Sequence, residues 1–392
     1  MNKALLNKQV QKFISENLNV DLSALILKGS PFPEVSIQEL ATQISGLKRA
    51  KSKLPTWFKN VNILYPPNLN LEQTSSEITA NYKASLVEGD KLIDLTGGFG
   101  IDSYFFSKQV KEVIHCEMNP ELSAIAAYNF EELGATNITC KTGDSIEILK
   151  EIEPPFDWIY IDPSRRDDYG GKVFLLEQCT PNVPELLFLF FRKATNIMVK
   201  TSPLLDIKSG INELKYVNEI HIVAVNQDVK ELVWLLNKKA SSKIKIKTID
   251  FQKKETQVFE TYYSQHQSDL PLSAPQKYLY EPNPAIMKSG MFRELAIKTG
   301  TFKLHPNSHL YTSEEIKAFP GRAFVITDIL NYNKKILKKR FKFKKANITT
   351  RNFPRSVAEL RKELKINDGG SDYLFFTTNL NDQKIVILGT KA

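Results

Sequence analysis

Cysteine is scarce in this chain of 392 residues: Cys116, Cys140 and Cys179 are all there are, at no metal-type spacing. A disulfide-stapled scaffold and a zinc module are therefore not expected, and a reducing compartment fits. The chain also lacks an apolar run of about 18 residues and any signal-peptide pattern, so neither a membrane span nor export is expected, and a cytoplasmic setting is. Histidine is sparse, with five in all. His305 and His309 have no acid or cysteine close by in sequence and read as loop or core residues rather than metal ligands. With 42% hydrophobic and 25% charged residues the composition is that of an ordinary globular chain, and the length suggests two or three domains.

The stretch Lys91–Ser103, KLIDLTGGFGIDS, organises what is present. Leu92, Ile93 and Leu95 read as a buried parallel strand that empties into Thr96, Gly97, Gly98, Phe99 and Gly100. Glycines there let the backbone bend sharply and let a ligand approach closely. Ile101, Tyr104, Phe105 and Phe106 then resume a helical pattern. Neither G-x-G-x-x-G nor a loop ending in G-K-[ST] is present, so dinucleotide and nucleoside-triphosphate cradles are not indicated. A structural turn would also use glycines, and the downstream residues decide.

Val113 to Glu117 is a second apolar strand ending in an acid about 20 residues past the loop, where a doubly wound sheet carries its ribose-binding carboxylate. Asn137 to Cys140 leads into Thr142-Gly143-Asp144-Ser145, and Phe156 to Ile161 ends in Asp162-Pro163-Ser164-Arg165-Arg166. Four successive strand ends thus carry Asp94, Glu117, Asp144 and Asp162. The segment D-L-T-G-G-F-G-I-D, with these acids, resembles the first motifs of the class I S-adenosylmethionine-dependent methyltransferases over about residues 66 to 250. The resemblance implies a doubly wound, Rossmann-like seven-stranded α/β sheet and S-adenosylmethionine as cofactor. The cofactor would be held by Asp94, Thr96, Gly97, Gly98, Phe99, Gly100, Glu117, Met118, Asp144 and Ser145, with Asp144 at the adenine amino group.

The motif at Asp162 departs from its counterpart in amino-methylating enzymes, [DNS]-P-P-[YFW], in which the aromatic ring stacks on a flipped base. Asp162 and Pro163 match, but Ser164 and Arg165 replace a proline and an aromatic. Arg165 is open to three readings: stacking on a base, binding a phosphate, or pairing with Asp162, Asp167 or Asp168. No cysteine is close in sequence, which argues against attack on a pyrimidine 5-carbon. Methyl transfer needs alignment and loss of a proton, so Asp162, Pro163, Ser164 and Arg165 are the candidate catalytic residues, with Asp162 as orienter or weak base. The loop Asp167 to Gly171 is where a substrate would sit. The polar segment before the glycine loop includes Ser76, a plausible N-cap, with Gln73 and Lys83 as lesser cofactor candidates.

Charge is uneven: residues 241 to 392 carry 27 Lys and Arg against 14 Asp and Glu, a balance of +13, and the first 240 carry −4, giving the +9 of the whole. The densest portion, Asn331 to Lys345, has eight basic residues and no acid, interleaved with Tyr332, Phe341 and Phe343. It can neutralise phosphates while its aromatics stack, or form an ordinary solvated face. The stretch Asn347–Pro354 and the turn Asp368-Gly369-Gly370 resemble a bacterial methyltransferase group with a small ferredoxin-like domain followed by a THUMP-like one, implying an RNA substrate. Periodicity marks helices at Asn2 to Asn17 and Ser36 to Ala50, the latter with a Ser36/Glu39 capping box. The expected domains are a helical one at 1–62, the methyltransferase at 63–250, the ferredoxin-like at 251–320 and the THUMP-like at 321–392. The combined expectation is a methyltransferase acting on a base of structured RNA, tRNA or rRNA, through the basic C-terminal region, with no membrane or metal partner. A small-molecule enzyme with dimerising accessory domains and a non-catalytic RNA-binding protein are the alternatives.

Overall fold

The computed structural model describes residues 2–165, 175–239, 243–264, 269–341 and 344–392. The chain divides into two compact units, Met1–Ile220 with Glu231–Ser242, and His221–Lys230 with Lys243–Ala392.

The first unit opens with helices. The pattern expected as one helix over Asn2 to Asn17 is a 3-10 turn, Lys3–Leu6, and a helix, Lys8–Glu16, because Asn7 sits between them with its side chain capping Gln9 N. The helix Ile37–Lys53 has the expected capping box: Ser36 Oγ accepts from Glu39 N (3.2 Å) and Glu39 reaches back to Ser36 N (2.8 Å). Two short helices, Asn68–Gln73 and Glu77–Ala84, precede the sheet, the second capped by Ser76.

The sheet is built from β1 (Lys91–Asp94), β2 (Glu112–Glu117), β3 (Ile138–Thr142), β4 (Phe156–Ile161), β7 (Ala194–Thr201), β8 (Val217–Val225) and β9 (Asp228–Asn237), while β5 (Ser164–Arg165) and β6 (Cys179–Thr180) form a ladder of their own. These seven are consecutive strands of a nine-stranded sheet, in the order β8-β9-β7-β4-β1-β2-β3, where seven strands in all were expected. Strands β7, β4, β1, β2 and β3 run parallel, and β9 is antiparallel to β7. The central strands β1 and β4 are apolar and buried without alternation, as strands covered on both faces are. Parallel order brings the carboxyl ends of β4, β1, β2 and β3 to one edge, where Asp162, Asp94, Glu117 and Asp144 follow one another.

In the second unit β10 (Lys245–Phe251) and β11 (Thr256–Tyr262) pair antiparallel. A seven-stranded sheet follows, made of β12 (Tyr278–Pro282), β13 (Phe302–Lys303), β14 (Tyr311–Ser313), β15 (Gly321–Asn331), β16 (Asn347–Thr350), β17 (Tyr373–Thr378) and β18 (Lys384–Lys391), in the order β13-β14-β12-β15-β18-β17-β16. The single helix expected over Ala285 to Thr299 is two, Pro284–Ser289 and Phe292–Thr299, separated at Gly290, whose φ is +71°. The helices Lys334–Phe341 and Val357–Leu364 bury Leu337, Phe341, Leu360 and Leu364 against Ile348, Leu374, Phe376 and Val386.

Candidate functional site

The glycine loop is set by what lies behind it. A Cβ at Gly97 would fall 2.2 Å from His115 Cε1, and one at Gly100, where φ is +86°, 2.4 Å from Phe130 Cζ. These two glycines are required by packing. Gly98 is different: at φ +57° a Cβ there would have only the Thr96 carbonyl oxygen nearby, at 3.9 Å. The loop thus presents one open face. Glu117 crosses it, with Oε2 accepting from Gly98 N (2.9 Å) and Oε1 from Asn119 N (2.7 Å). Met118 stands exposed beside it, and Asp144 caps the helix Ser145–Glu151, its Oδ1 accepting from Ile146 N (2.8 Å).

Asp94 lies under the loop rather than at its face. It is 1% exposed, accepts from Thr96 N (3.0 Å) through Oδ1 and from Ser103 Oγ (2.6 Å) through Oδ2. Ser103 Oγ is also 3.0 Å from His115 Nδ1. With Ser103 donating to Asp94, His115 carries its proton on Nδ1, which leaves the buried Nε2 without a partner. Burial, helped by the nearby Asp102 and Asp162, pushes Asp94 up to about 7, and burial pushes His115 down to about 4. The Phe99 ring points the other way, into a cluster with Trp57 (centroids 6.5 Å) and Tyr65 (6.3 Å). Tyr65 is held in turn by Gln43, whose side chain makes hydrogen bonds of 2.9 and 2.8 Å to its N–H and carbonyl.

A buried ionic network closes the site under β4, β7 and β9. Lys83, fully buried, donates to Glu231 Oε1 (2.7 Å) and Ser75 Oγ (3.0 Å), and its Nζ lies 3.2 Å from Asp102 Oδ1. Asp102 Oδ2 accepts from Ser75 Oγ and Tyr160 OH, both at 2.8 Å. Burial acts to raise the Asp102 pKa, but Lys83 and Lys200 outweigh it and hold the carboxyl below its ordinary value. Lys200 pairs with Asp162 Oδ2; burial opposes its charge, yet Asp162, Glu231 and Asp102 hold its pKa above the usual lysine range. Thr96 Oγ1 accepts from Asp162 N (2.7 Å), so the glycine loop and the Asp162 motif are tied directly. Within this network three carboxylates, Asp102, Glu231 and Asp162, face two ammonium groups, an excess of one acid, and Glu117 and Asp144 add to it at the neighbouring strand ends.

The structure brings Asp94, Thr96, Gly97, Gly98, Phe99, Gly100, Glu117, Met118, Asp144, Ser145 and Asp162 to one edge of the sheet, with Pro163 and Ser164 continuing from it. The side chain of Arg165 and the loop Asp167 to Gly171 lie outside the described residues. A cysteine absent from this neighbourhood in sequence is present in space: Cys179 on β6 pairs with Arg165 on β5. It is fully buried, its thiol donating to the Leu175 carbonyl (3.5 Å). Burial pushes Cys116 up to about 12 and Cys140 up to about 11, which keeps both thiols protonated. Among the described residues no group of three or more His, Cys, Asp or Glu could hold a metal. Asp102, Lys200, Tyr160 and Glu231 join the site in space without being among the residues that the motifs and the resemblance assign to it. A signal for two of them exists: Asp102 follows the glycine loop on a helix buried all round, and Glu231 heads the apolar run Leu232 to Leu236.

Residues 278–320 match the description of a ferredoxin-like domain, and residues 321–391 that of a THUMP-like domain. The crystal structure of a Porphyromonas gingivalis protein with a provisional methyltransferase name superposes with a TM-score of 0.89 at 32% identity, covering 100% of this chain and 98% of that one. The chain belongs to the class I S-adenosylmethionine-dependent methyltransferases. An uncharacterised S-adenosylmethionine-dependent methyltransferase of Mycobacterium tuberculosis is 21% identical over 262 residues, 66% of this chain and 69% of that protein. The methyltransferase has S-adenosylmethionine as its cofactor and is of the group with ferredoxin-like and THUMP-like C-terminal domains. The open side of Gly98 fits that cofactor: it is the one glycine of the loop where added volume would meet no protein atom closer than 3.9 Å.

Proposed function

We propose that this methyltransferase modifies a base of structured RNA, tRNA or rRNA, held by the basic C-terminal region. The observation that carries the reading is the helix Lys334–Phe341. Lys334 and Arg340 are paired with Glu363 and Asp328, but Lys335, Lys338 and Lys339 have no ion pair among the described residues. Unpaired cations on one helix next to Lys344 and Lys345 suit a phosphate backbone, and this segment falls within the THUMP-like match.

In this proposal the ribose of the cofactor is held by Glu117, whose oxygens each retain a lone pair beyond those given to Gly98 N and Asn119 N. Asp144 and Ser145 take the adenine end, and the backbone at Gly97 and Gly98 allows close approach. The bound cofactor supplies an electrophilic methyl on a sulfonium, whose positive charge suits the net negative charge of the strand ends. Asp162 orients the acceptor. Its Oδ2 is taken up by Lys200, and its role in this proposal is that of a hydrogen-bond acceptor.

Calorimetry with S-adenosylhomocysteine should give micromolar binding that Gly98→Val or Asp94→Ala abolishes; undiminished binding in both variants would refute the site. Gel shifts with bulk tRNA across a salt series should show a steep slope, and a flat response would count against RNA. Labelled cofactor incubated with RNA from a strain lacking this gene, followed by nucleoside mass spectrometry, names the acceptor; label on no nucleoside would sink the RNA reading while leaving cofactor binding intact.

A further inference from the structure

A cavity of about 540 Å³ opens in the N-terminal helical region, sharing Gln43 and Tyr65 with the packing around Phe99. Its walls come from the helix Lys8–Glu16, the helix Ile37–Lys53 and the segment from Phe58 to Tyr65. They are chiefly apolar, with Ile14, Leu47, Phe58 and Ile63 lining it and Val61, 71% exposed, at its mouth. Protein interiors seldom leave voids much larger than a water molecule, and cavities of roughly 300–1,000 Å³ are the size of small-molecule sites.

The charged groups around this cavity are of one sign, beside the neutral Gln11, Ser15, Gln43, Asn60, Asn62 and Tyr65. Lys8 and Lys12, one helical turn apart, both line it, and no acid does. Glu16 is the nearest carboxylate to Lys12, in a loose exposed contact at 3.8 Å. Gln43 is taken up by both backbone groups of Tyr65, and Gln11 donates to the Leu5 carbonyl (2.8 Å). Ser15, Asn60 and Asn62 are hydrogen-bonded as well, so what remains to meet a ligand is an apolar trough with two ammonium groups at its edge and the buried Tyr65 hydroxyl, which has no hydrogen-bond partner among the described residues. Neutral apolar ligands would leave those charges unused, and polar ones would leave the trough unfilled.

We propose that this cavity binds a small amphipathic carboxylate, its apolar body against Ile14, Leu47, Phe58 and Ile63 and its charged end at Lys8 and Lys12. The proposal is independent of the RNA reading and of the cofactor.

Titration calorimetry of the full chain with decanoate, below its micellar range, tests it. Saturable one-site binding in the micromolar range is expected, with decanol at least tenfold weaker. The double variant Lys8→Glu/Lys12→Glu, at exposed positions, should lose at least tenfold in decanoate affinity while its S-adenosylhomocysteine binding and melting temperature hold. Val61→Trp, which places an indole across the mouth, should abolish decanoate binding. Absence of saturable heat in the parent, equal affinity for decanol, or undiminished decanoate binding in both variants would each overturn the proposal. If Val61→Trp also lost S-adenosylhomocysteine binding, a fold defect would be the cause, and the double lysine variant decides.

Discussion

A methyl group added at Gly98 meets open space, whereas one at Gly97 or Gly100 runs into His115 or Phe130. Substitutions in one loop should therefore separate two properties. Gly98→Ala should cost about 1–2 kcal/mol for its positive φ and lower S-adenosylhomocysteine affinity at least tenfold. Gly97→Ala and Gly100→Ala should lose about 1–3 kcal/mol by overpacking, Gly100 with its own backbone cost besides, visible as lower melting temperatures before any ligand is added. Asp94 and His115 give a second test. Asp94, raised to about 7, binds a proton in the folded chain that it lacks when unfolded, so its contribution to stability falls as pH rises from about 4 to about 7. His115, lowered to about 4, acts oppositely, and stability gains between about 4 and about 6.5. The two nearly cancel in the parent. Asp94→Asn removes the first, so its urea-unfolding free energy should climb by about 1–3 kcal/mol from pH 4.5 to pH 6.5 relative to the parent.

Among the elements, the helix Glu77–Ala84 has a task its sequence hardly advertises. It carries Lys83 into a space where Asp102 and Glu231 wait, from elements far apart along the chain. Lys83→Met should cost about 3–5 kcal/mol in denaturant melts, because it strands two buried carboxylates. Adding Glu231→Leu should recover part of that loss, and additive losses in the double variant would disprove the coupling. The helix Lys334–Phe341 has its cations outside, with Leu337 and Phe341 inside. Lys335→Glu and Lys339→Glu together should reduce the salt slope of tRNA binding by about 2 without moving the melting temperature. A helical spacing is visible there, Leu337 and Phe341 falling a turn apart while Ile336 stays exposed. The Lys83 network was not legible: an ion pair between residues 148 apart leaves no local periodicity, and a lysine in a helix reads by default as solvated.

Over the whole molecule, the edge at which the acids gather followed from apolar runs ending in Asp or Glu, since parallel connection forces those ends to one side. What could not be read was depth. Asp94 and Glu117 occupy equivalent strand ends, yet one carboxylate is sealed beneath the loop and the other lies across it, a difference made by Ser103 and Thr96 rather than by strand pattern. The Phe99 ring, embraced by Trp57 and Tyr65, has a consequence for any attempt to pare this enzyme down. A chain begun at Pro66, where the motifs start, would unsheathe a benzyl group that the catalytic loop cannot fold back on itself. Such a minimal enzyme should come out sticky and slack in its grip on S-adenosylhomocysteine, and the opening helices count as foundation rather than ornament.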